Sequence, residues 1–333
     1  MKIIIPMAGM GTRMRPHTLT IPKPLIPIAG KSIVKRLVED ISEVTNQKVD
    51  EIAFIIGNFG KEVENNLLNI AKENGAEGKI YYQYEALGTA HAILCAKESL
   101  KGEVIVAFAD TLFRADFKLD ETKDAIIWVH KVANPESFGV VKVNEDNTIL
   151  DFFEKPKDFV SDLAIIGIYY FKDGENLKNE LQYLIDNDVK VKGEYQLTDA
   201  LENMKNKKLI FKTNNVEEWL DCGNKNATVY TNSRVLNKIK DKLSIPKSVE
   251  QNNSIIINPC YIGENVKIEN SVIGPNVSIE NGTIITNSII TNSIIQKNSN
   301  ISNANITNSM IGNNVNYKSK ENELSIGDYT IIE

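Results

Sequence analysis

The sequence predicts an α/β domain with a mixed, mainly parallel sheet over residues 1–235, a linker over 236–250, and a repetitive solenoid over 251–333. Two observations carry this prediction. Up to about residue 235, short apolar runs alternate with helical segments, and after about residue 250 an isoleucine or similar residue recurs every five or six positions. Strands that are apolar throughout and separated by helices are typical of a sheet covered on both faces.

The elements of the first domain follow from the period of their apolar residues. Residues 32–45, 60–73 and 89–100 have the pattern of amphipathic helices. The predicted strands are the runs at 2–5, 51–57, 79–84, 103–110, 125–132 and 139–143. Because folds of this class bind ligands at the carboxyl ends of their strands, we expect the site after the first and fourth of these runs.

Composition limits the possible classes of partner and compartment. The chain has 333 residues, 42% of them hydrophobic, and a formal net charge of −6, so no general affinity for nucleic acid or an anionic membrane is expected. Its three cysteines are widely spaced and match neither a disulfide framework nor a zinc pattern. No signal peptide and no long apolar span is evident. We therefore expect a cytoplasmic protein.

The second domain is an internal repeat of hexapeptide type. Asparagine and glycine, which tolerate positive φ, separate its short apolar strands and suit tight corners. The pattern resembles that of left-handed parallel β-helices and predicts roughly four coils, with residues 317–333 capping the stack and SIGDYTII as its last rung. The alternative is a disordered asparagine-rich tail. The repeated apolar positions are 256, 262, 268, 273, 279, 285, 290, 295, 301, 306 and 311.

The stretch PMAGMGTRMRP, residues 6–16, has the features of a phosphate-binding turn. It follows a predicted strand, and Gly9 and Gly11 would let backbone N–H groups approach phosphate oxygens closely. Arg13 adds a planar, permanently charged group, and Lys23 lies between two prolines. The spacing fits neither a P-loop nor the dinucleotide fingerprint. The alternative is an ordinary strand-to-helix turn with solvated arginines.

A longer segment, AGMGTRMRPHTLTIPKPLIPIAGK, resembles the signature of the sugar-1-phosphate nucleotidyltransferases, which include glucose-1-phosphate thymidylyltransferases and related uridylyl- and guanylyltransferases. The resemblance implies a Rossmann-like nucleotidyltransferase domain followed by a left-handed β-helix. Together with the hexapeptide domain, the segments that resemble this family cover nearly the whole chain. The further matching segments, in the family's order, are QYEALGTAHAILCA, FAD, EKP, GIYYF, GEYQLTD and WLDCG.

The resemblance also implies an activity and its partners. A nucleoside triphosphate, with dTTP or UTP favoured, would react with a sugar 1-phosphate to give a nucleotide sugar and pyrophosphate, with Mg²⁺ as cofactor. Two polyanions must meet, so positioning and charge neutralisation would supply most of the catalysis. The β-helix would hold a homo-oligomer together. The alternatives are a non-catalytic regulatory or scaffold homologue, and the same chemistry with GTP, CTP or a non-sugar phosphate.

The resemblance assigns the nucleotide side to two segments. Arg13 would stabilise the departing pyrophosphate, and Lys23 would contact the α-phosphate. Gln83 and Gly88 would read the pyrimidine edge, since an amide offers both a donor and an acceptor. Ala8, where many thymidylyltransferases have glycine, leaves thymine and uracil open. The implied nucleotide-binding residues are Ala8, Gly9, Gly11, Thr12, Arg13, Gln83, Gly88 and Thr89.

Metal and sugar-phosphate residues follow from the later segments. Asp110 and Asp221 match the two aspartates that hold Mg²⁺, and a turn residue before Gly223 is the alternative for Asp221. Lys155 matches a lysine that grips the sugar phosphate, and an exposed turn at EKP is the alternative. The residues expected at the sugar are Gly139, Glu154 and Gly167, with Glu194 lining the same side. Arg13, Lys23, Asp110 and Lys155 are the predicted catalytic set.

The histidines bear on the second domain. The chain has three, His17, His91 and His130, and all precede the repeat. Hexapeptide-repeat acetyltransferases typically use a histidine base. We therefore predict a structural, regulatory or assembly role for the β-helix, and assign no role to His17 or His91.

Overall fold

The computed structural model describes residues 1–320, and residue contacts divide the chain into two units. The first contains Met1–Ile26 and Ser32–Gly223, and the second contains Pro27–Lys31 and the chain from Asn224 onward. The boundary predicted at residue 235 falls inside the helix Lys225–Ile239, which lies wholly in the second unit. The predicted last rung, SIGDYTII, lies outside the described residues.

The first unit is built on a nine-stranded mixed sheet. Its spatial order is β8-β7-β9-β4-β1-β2-β3, and β6 pairs with both β9 and β10. Strands β4, β1, β2 and β3 run parallel, and β9 runs antiparallel to β4. In chain order the strands of this unit are β1 Lys2–Pro6, β2 Glu51–Ile56, β3 Glu77–Tyr82, β4 Val104–Ala107, β5 Thr111–Arg114, β6 Ala125–Lys131, β7 Gly139–Val143, β8 Ile149–Glu154, β9 Leu163–Phe171, β10 Phe211–Asn215 and β11 Glu218–Asp221. Strands β5 and β11 form a separate antiparallel pair.

Helices cover this sheet as the apolar periods predict. Helix α1 buries Ile33, Leu37 and Ile41, and the side chain of Ser32 caps its first turn. The helix predicted over 89–100 is shorter, because the backbone bonds after Leu94 change to an i→i−3 pattern that tightens into turns. The helices within residues 1–320 are α1 Ile33–Val44, α2 Lys61–Glu73, α3 Thr89–Leu94, α4 Gly174–Asp186, α5 Leu197–Asn206 and α6 Lys225–Ile239, with 3₁₀ turns at Thr12–Met14, Lys23–Leu25, Pro135–Ser137 and Lys240–Lys242.

The second unit contains stacked parallel strands in three sheets, consistent with a left-handed β-helix, and the disordered alternative is wrong. The predicted isoleucines face inward in register, as in Ile268↔Ile285↔Ile301. Ile256 and Ile311 are only half-buried. The three sets of strands are Glu250–Asn252, Lys267–Glu269, Ile284–Thr286, Asn300–Ser302 and Asn316–Lys318; Ile255–Ile256, Val272–Ile273, Ile289–Thr291 and Asn305–Thr307; and Cys260–Ile262, Val277–Ile279, Ile294–Ile295 and Met310–Ile311.

Asparagines form the corners of this β-helix. Ten of them between residues 253 and 314 have positive φ, a conformation that asparagine tolerates better than most residues. Side-chain amides in one row are hydrogen-bonded from coil to coil, at 2.7–3.2 Å along Asn253, Asn270, Asn287 and Asn303. The same residues therefore turn the chain and connect successive coils.

A small hairpin from the N-terminal part of the chain also packs in the second unit. Its short strands are Pro27–Ile28 and Lys31–Ser32. The backbone N–H of Ala29 donates to the buried Oδ1 of Asn232 on α6 at 3.0 Å, and Ser278 Oγ donates to the same oxygen at 2.7 Å. At Gly30, with φ 84°, a Cβ would lie 2.3 Å from the ring of Tyr261, so only glycine fits.

Candidate active site

A cavity of about 390 Å³ opens at the carboxyl ends of β1 and β4, where the fold class predicts a ligand site. All of its lining residues belong to the first unit. They are Pro6, Met7, Ala8, Gly9, Gly11, Thr12, Arg13, Lys23, Pro24, Gln83, Ala86, Gly88, Thr89, Ala92, Phe108, Ala109, Asp110, Glu194 and Gly223. The structure therefore brings every predicted nucleotide-binding residue to one cavity, together with Lys23 and Asp110.

The loop after β1 forms one wall of this cavity. Gly11 has φ 58°, and a Cβ there would lie 3.1 Å from Thr18 Cγ2 and 3.2 Å from Lys23 Cβ. Thr18 Oγ1 donates to the carbonyl of Gly11 at 2.8 Å, which fixes the turn. At Gly9, by contrast, a Cβ would meet no atom within 4 Å. Gly11 is thus required by the fold of the loop, while Gly9 leaves open space at the cavity.

Lys23 and Asp110 form a close ion pair in the cavity wall. Lys23 begins the 3₁₀ turn Lys23–Leu25, and Asp110 lies between β4 and β5. The ammonium Nζ donates to Asp110 Oδ2 at 2.6 Å, and the side chains are 12% and 34% exposed. A partly buried, charge-assisted bond of this kind holds both groups in place.

Asp221 is brought to the same place by the pairing of β11 with β5. Asp221 is opposite Thr111 in this ladder, and the backbone N–H of Cys222 donates to the carbonyl of Asp110 at 2.9 Å. Burial and the negative charge of Asp110 raise the pKa of the Asp221 carboxyl. The N–H of Gly223, donating to Asp221 Oδ1 at 2.8 Å, together with Lys23 and Arg13, opposes that rise. The two aspartates thus interact as like charges.

The donor set of this carboxylate pair fits a hard divalent cation. Within residues 1–320, no group of three or more histidine, cysteine, aspartate or glutamate side chains could hold a metal by itself. Mg²⁺ is commonly bound through only one or two carboxylates, with substrate phosphates and waters as its other ligands. A positive ion would also relieve the repulsion that raises the pKa of Asp221.

Gln83, Gly88 and Thr89 line another part of the cavity, and their own contacts give each a structural role. Gln83 Nε2 donates to the carbonyl of Gly88 at 3.3 Å and lies 3.1 Å from Nδ1 of His91. At Gly88, with φ 109°, a Cβ would lie 2.4 Å from the carbonyl oxygen of Tyr195. Thr89 Oγ1 accepts from the N–H of Leu197 at 2.9 Å, at the start of α5.

The predicted sugar-phosphate residues lie outside the cavity lining. Lys155 follows β8 with φ 46°, and its Nζ lies 3.6 Å from Glu154 Oε1. A Cβ at Gly139 would lie 3.2 Å from Glu154 Oε2, so these three residues are neighbours. Gly167 is connected to the cavity through Phe108, whose N–H donates to the Gly167 carbonyl at 2.9 Å.

The structure also shows residues at the site to which the sequence assigned no role. Asp199, in the segment GEYQLTD, has a buried Oδ2 that accepts no hydrogen bond within the described residues. Burial and the nearby Glu154 raise the pKa of the Asp199 carboxyl. Phe108 joins the cavity wall to Gly167, and His91 contacts Gln83. Only the position of Asp199 and Phe108 inside matching segments could have suggested them.

A family model for nucleotidyl transferases matches residues 2–238, which is most of the chain and all of the cavity lining. The chain belongs to the nucleotidyl transferase family. The resemblance stated from the sequence is thereby confirmed. Enzymes of this family generally use a divalent metal.

Individual relatives agree with this assignment. The bifunctional protein GlmU of Methanococcus maripaludis strain C7 is 37% identical over 78% of this chain and 59% of its own length. The chain thus spans about three fifths of the length of this GlmU protein and of the one from strain C5 of the same species. A glucose-1-phosphate thymidylyltransferase of Streptomyces antibioticus is 26% identical over 81% of this chain and 75% of its own. A UDP-glucose pyrophosphorylase solved with UDP-glucose superposes with a TM-score of 0.58 at 25% identity, over 71% of this chain and 98% of its own.

No helix within the described residues has the length and apolar character needed to cross a membrane.

Proposed function

We propose that this nucleotidyltransferase transfers a nucleotidyl group from UTP or dTTP to a sugar 1-phosphate and releases pyrophosphate. The observation that carries the proposal is the cavity that brings together the glycine loop, Arg13 and the Lys23–Asp110 pair, with Asp221 close enough to Asp110 to interact with its charge. Such a combination of backbone donors, cations and a carboxylate pair suits a reaction between two polyanions. The names of the relatives, a thymidylyltransferase and a UDP-glucose pyrophosphorylase, support the same substrate class.

The chain's own groups would act by positioning charge. An oxygen of the sugar phosphate forms a bond to the α-phosphorus, and the bond from that phosphorus to the pyrophosphate oxygen breaks. Lys23 Nζ, held on Asp110 at 2.6 Å, would bind the α-phosphate, and Arg13 would hold the departing pyrophosphate. Asp110 and Asp221 would hold Mg²⁺, which supplies positive charge to the phosphate oxygens when bound. No protein nucleophile is required.

The hydrogen-bonding groups beside Gln83 support a uracil or thymine base. The Gly88 N–H and the Gln83 Oε1 make no hydrogen bond with another described residue, so one donor and one acceptor are available. Uracil and thymine present the complementary carbonyl oxygen and N–H side by side. Guanine presents the same pair on a larger ring, whereas cytosine and adenine present the reverse pattern. GTP is therefore the competitor to test.

The sugar would lie beyond Phe108, which contacts Gly167, on the side where Gly139, Glu154 and Lys155 are neighbours. Glu154 is suited to accept bonds from sugar hydroxyls, and Lys155 to bind the sugar phosphate. Asp199, with its unpaired Oδ2, adds a second acceptor on this side. The identity of the sugar therefore depends on which of its hydroxyls can donate hydrogen bonds to these carboxylates.

A pyrophosphate-release screen tests the proposal. Each of UTP, dTTP, GTP, CTP and ATP is combined with a panel of sugar 1-phosphates, with Mg²⁺ and with a chelator. We expect release with UTP or dTTP, dependent on both the sugar phosphate and the metal. Release with CTP or ATP alone would refute the base assignment, and no release with any pair would favour the non-catalytic alternative.

We further propose that the β-helix mediates a homo-oligomer. Large apolar side chains are exposed on its outer surface, among them Ile255 at 61% and Ile289 at 49%. The chain has no histidine after His130, so the β-helix has no histidine of its own that could act as the base of an acetyltransferase. Light scattering of the full chain and of an Ile255→Asp/Ile289→Asp variant tests the interface: we expect a lower mass for the variant, and an equal mass would refute it.

A further inference from the structure

His91 contacts the glutamine proposed to read the base. It lies on α3, on the helix that begins directly after Gly88. The Nε2 of Gln83 is 3.1 Å from Nδ1 of His91 and 3.3 Å from the carbonyl oxygen of Gly88. These two contacts account for the hydrogen bonds that the Gln83 side chain makes among the described residues.

The chemistry of the two groups determines the direction of this hydrogen bond. An amide nitrogen carries two hydrogens and can only donate, so Nδ1 of His91 must be the acceptor. The imidazole is therefore neutral, with its proton on Nε2. Both hydrogens of the Gln83 amide are then engaged by Gly88 and His91, and Oε1 is the one polar atom of the side chain left for a ligand.

We propose that His91 is a positioning residue that orients the Gln83 amide so that its acceptor oxygen meets the N3–H of uracil or thymine. This inference rests on the proposed function, because it concerns how the same cavity selects its base. His91 does not touch the base itself. It acts through Gln83, by making one of the two orientations of the amide the favourable one.

Protonation of His91 would reverse that orientation. An imidazolium has N–H groups at both ring positions, and an Nδ1–H cannot face an amide NH₂. The amide would have to turn so that Oε1 accepts from His91, which presents NH₂ toward the base. Gly88 N–H and Gln83 would then both be donors, and uracil or thymine would lose the bond from its N3–H.

The surroundings of His91 keep it neutral near physiological pH. Partial burial is the larger influence and lowers the pKa of the imidazole below its usual value near 6.5, while the negative charge of Glu85 on the preceding loop raises it. The thiol of Cys95, the residue directly after α3, has a pKa raised by burial and stays uncharged. Weakening of base binding is therefore expected in acid, as pH falls through the pKa of His91.

Two substitutions separate orientation of the amide from simple packing. His91→Asn keeps an acceptor oxygen near the position of Nδ1 but does not titrate. His91→Leu has a similar size and removes the acceptor. His130→Asn is the matched control, because His130 Nδ1 lies 3.2 Å from the carbonyl oxygen of Val216, between β10 and β11, and is bonded to no predicted site residue.

The test measures pyrophosphate release with UTP and dTTP between pH 5 and 8, and calorimetric binding of the same nucleotides to the full chain. For His91→Leu we expect KM and the nucleotide Kd to rise about fivefold to twentyfold, the loss of one hydrogen bond. We expect kcat and the KM of the sugar phosphate to stay within about twofold. In the wild type, nucleotide Kd should rise in acid; in His91→Asn it should stay near the wild-type value and lose that rise.

The outcomes distinguish this inference from the proposed function. Wild-type nucleotide Kd in His91→Leu with an unchanged melting temperature would overturn the positioning role, as would an acid-linked rise in Kd that persists in His91→Asn. If His91→Leu fails to fold, the pH dependence of His91→Asn against His130→Asn still decides. Nucleotide binding with the expected pH dependence but no turnover would refute the proposed reaction and leave the role of His91 standing.

Discussion

The α/β unit and the β-helix differ in which residue types adopt a strained backbone conformation. In the β-helix, residues 250–320, every non-glycine residue with positive φ is an asparagine, and one row of these is bonded from coil to coil. In the α/β unit, the same conformation occurs at Lys155, Lys192 and Lys208, a residue type for which it costs about 1–2 kcal/mol. Strain of this kind often marks functional positions. The β-helix thus uses asparagine at its positive-φ turns, whereas the α/β unit places lysines in this conformation, one of them at a predicted site residue.

The two units also differ in their buried polar groups. Serines inside the β-helix are bonded from coil to coil: Ser271 Oγ accepts from the N–H of Ser288 at 3.0 Å, and Ser288 Oγ accepts from the N–H of Ala304 at 3.1 Å. In the α/β unit, Asp221 and Asp199 have raised pKa values, and Oδ2 of Asp199 is buried with no hydrogen-bond partner among residues 1–320. In the β-helix, Oδ1 of Asn292 and Nε2 of Gln296 are likewise buried without a partner among these residues. Polar groups that a fold leaves unsatisfied are candidates for binding ligands. The difference between the two units therefore lies in the buried carboxyl groups with raised pKa values, which belong to the α/β unit.

Neutralising Asp110 should have the largest effect. Asp110→Asn keeps the side chain's size but removes a charge from the carboxylate pair and from the bond to Lys23. We expect turnover to fall about 100-fold to 1,000-fold, comparable to losing one preorganised electrostatic contact, and the melting temperature to change little. Single-turnover pyrophosphate release is the measurement. Asp116→Asn, at an exposed position, is the control and should match the wild type; equal turnover in the two variants would refute the metal assignment.

A buried isoleucine of the β-helix should affect stability instead. Ile290 is fully buried, and its neighbour Ile289 on the same strand is 49% exposed, so the pair forms a matched comparison. We expect Ile290→Ala to lower the free energy of unfolding by about 2–5 kcal/mol, with a much smaller effect for Ile289→Ala in the monomer. Denaturant melts monitored in the β-helix would show the difference. Equal losses would mean that the stacked core does not stabilise this region.

The sequence predicts different features of the two units. The spacing of isoleucines was enough to predict the strands of the β-helix, because one inward side chain per short strand leaves a single register that buries them all. The pattern carries no information about what the β-helix binds. In the α/β unit, the resemblance identified the residues that line one cavity, but the Asp110–Asp221 proximity depends on the β5–β11 pairing, which no local pattern predicts. No sequence pattern predicts the hydrogen bond between Gln83 and His91 either, because it depends on how the loop between these two residues folds.

Lys155 tests whether backbone strain in the α/β unit serves substrate binding. Lys155→Gly removes the ammonium and relieves the positive φ, so we expect KM for the sugar phosphate to rise about 10-fold to 100-fold while the melting temperature holds or increases. The exposed Lys157→Ala is the control for a general loss of positive charge. Steady-state kinetics with both substrates varied would show the change. An unchanged KM would mean that EKP is an ordinary exposed turn.

The smallest expected effect concerns a single corner of the β-helix. Asn287, with φ 49°, donates through its amide to Asn303 and accepts from Asn270, both at 3.2 Å. Asn287→Gly removes the two exposed hydrogen bonds, but glycine adopts positive φ without strain. Asn287→Ala removes the same hydrogen bonds and in addition strains the backbone, because alanine disfavours positive φ. We therefore expect alanine to be less stable than glycine by about 1 kcal/mol, measured by chemical denaturation. Equal stability of the two variants would mean that the hydrogen bonds between side-chain amides, rather than tolerance of positive φ, explain the asparagines at these corners. The contrast with Lys155 would then concern hydrogen bonding and not backbone strain.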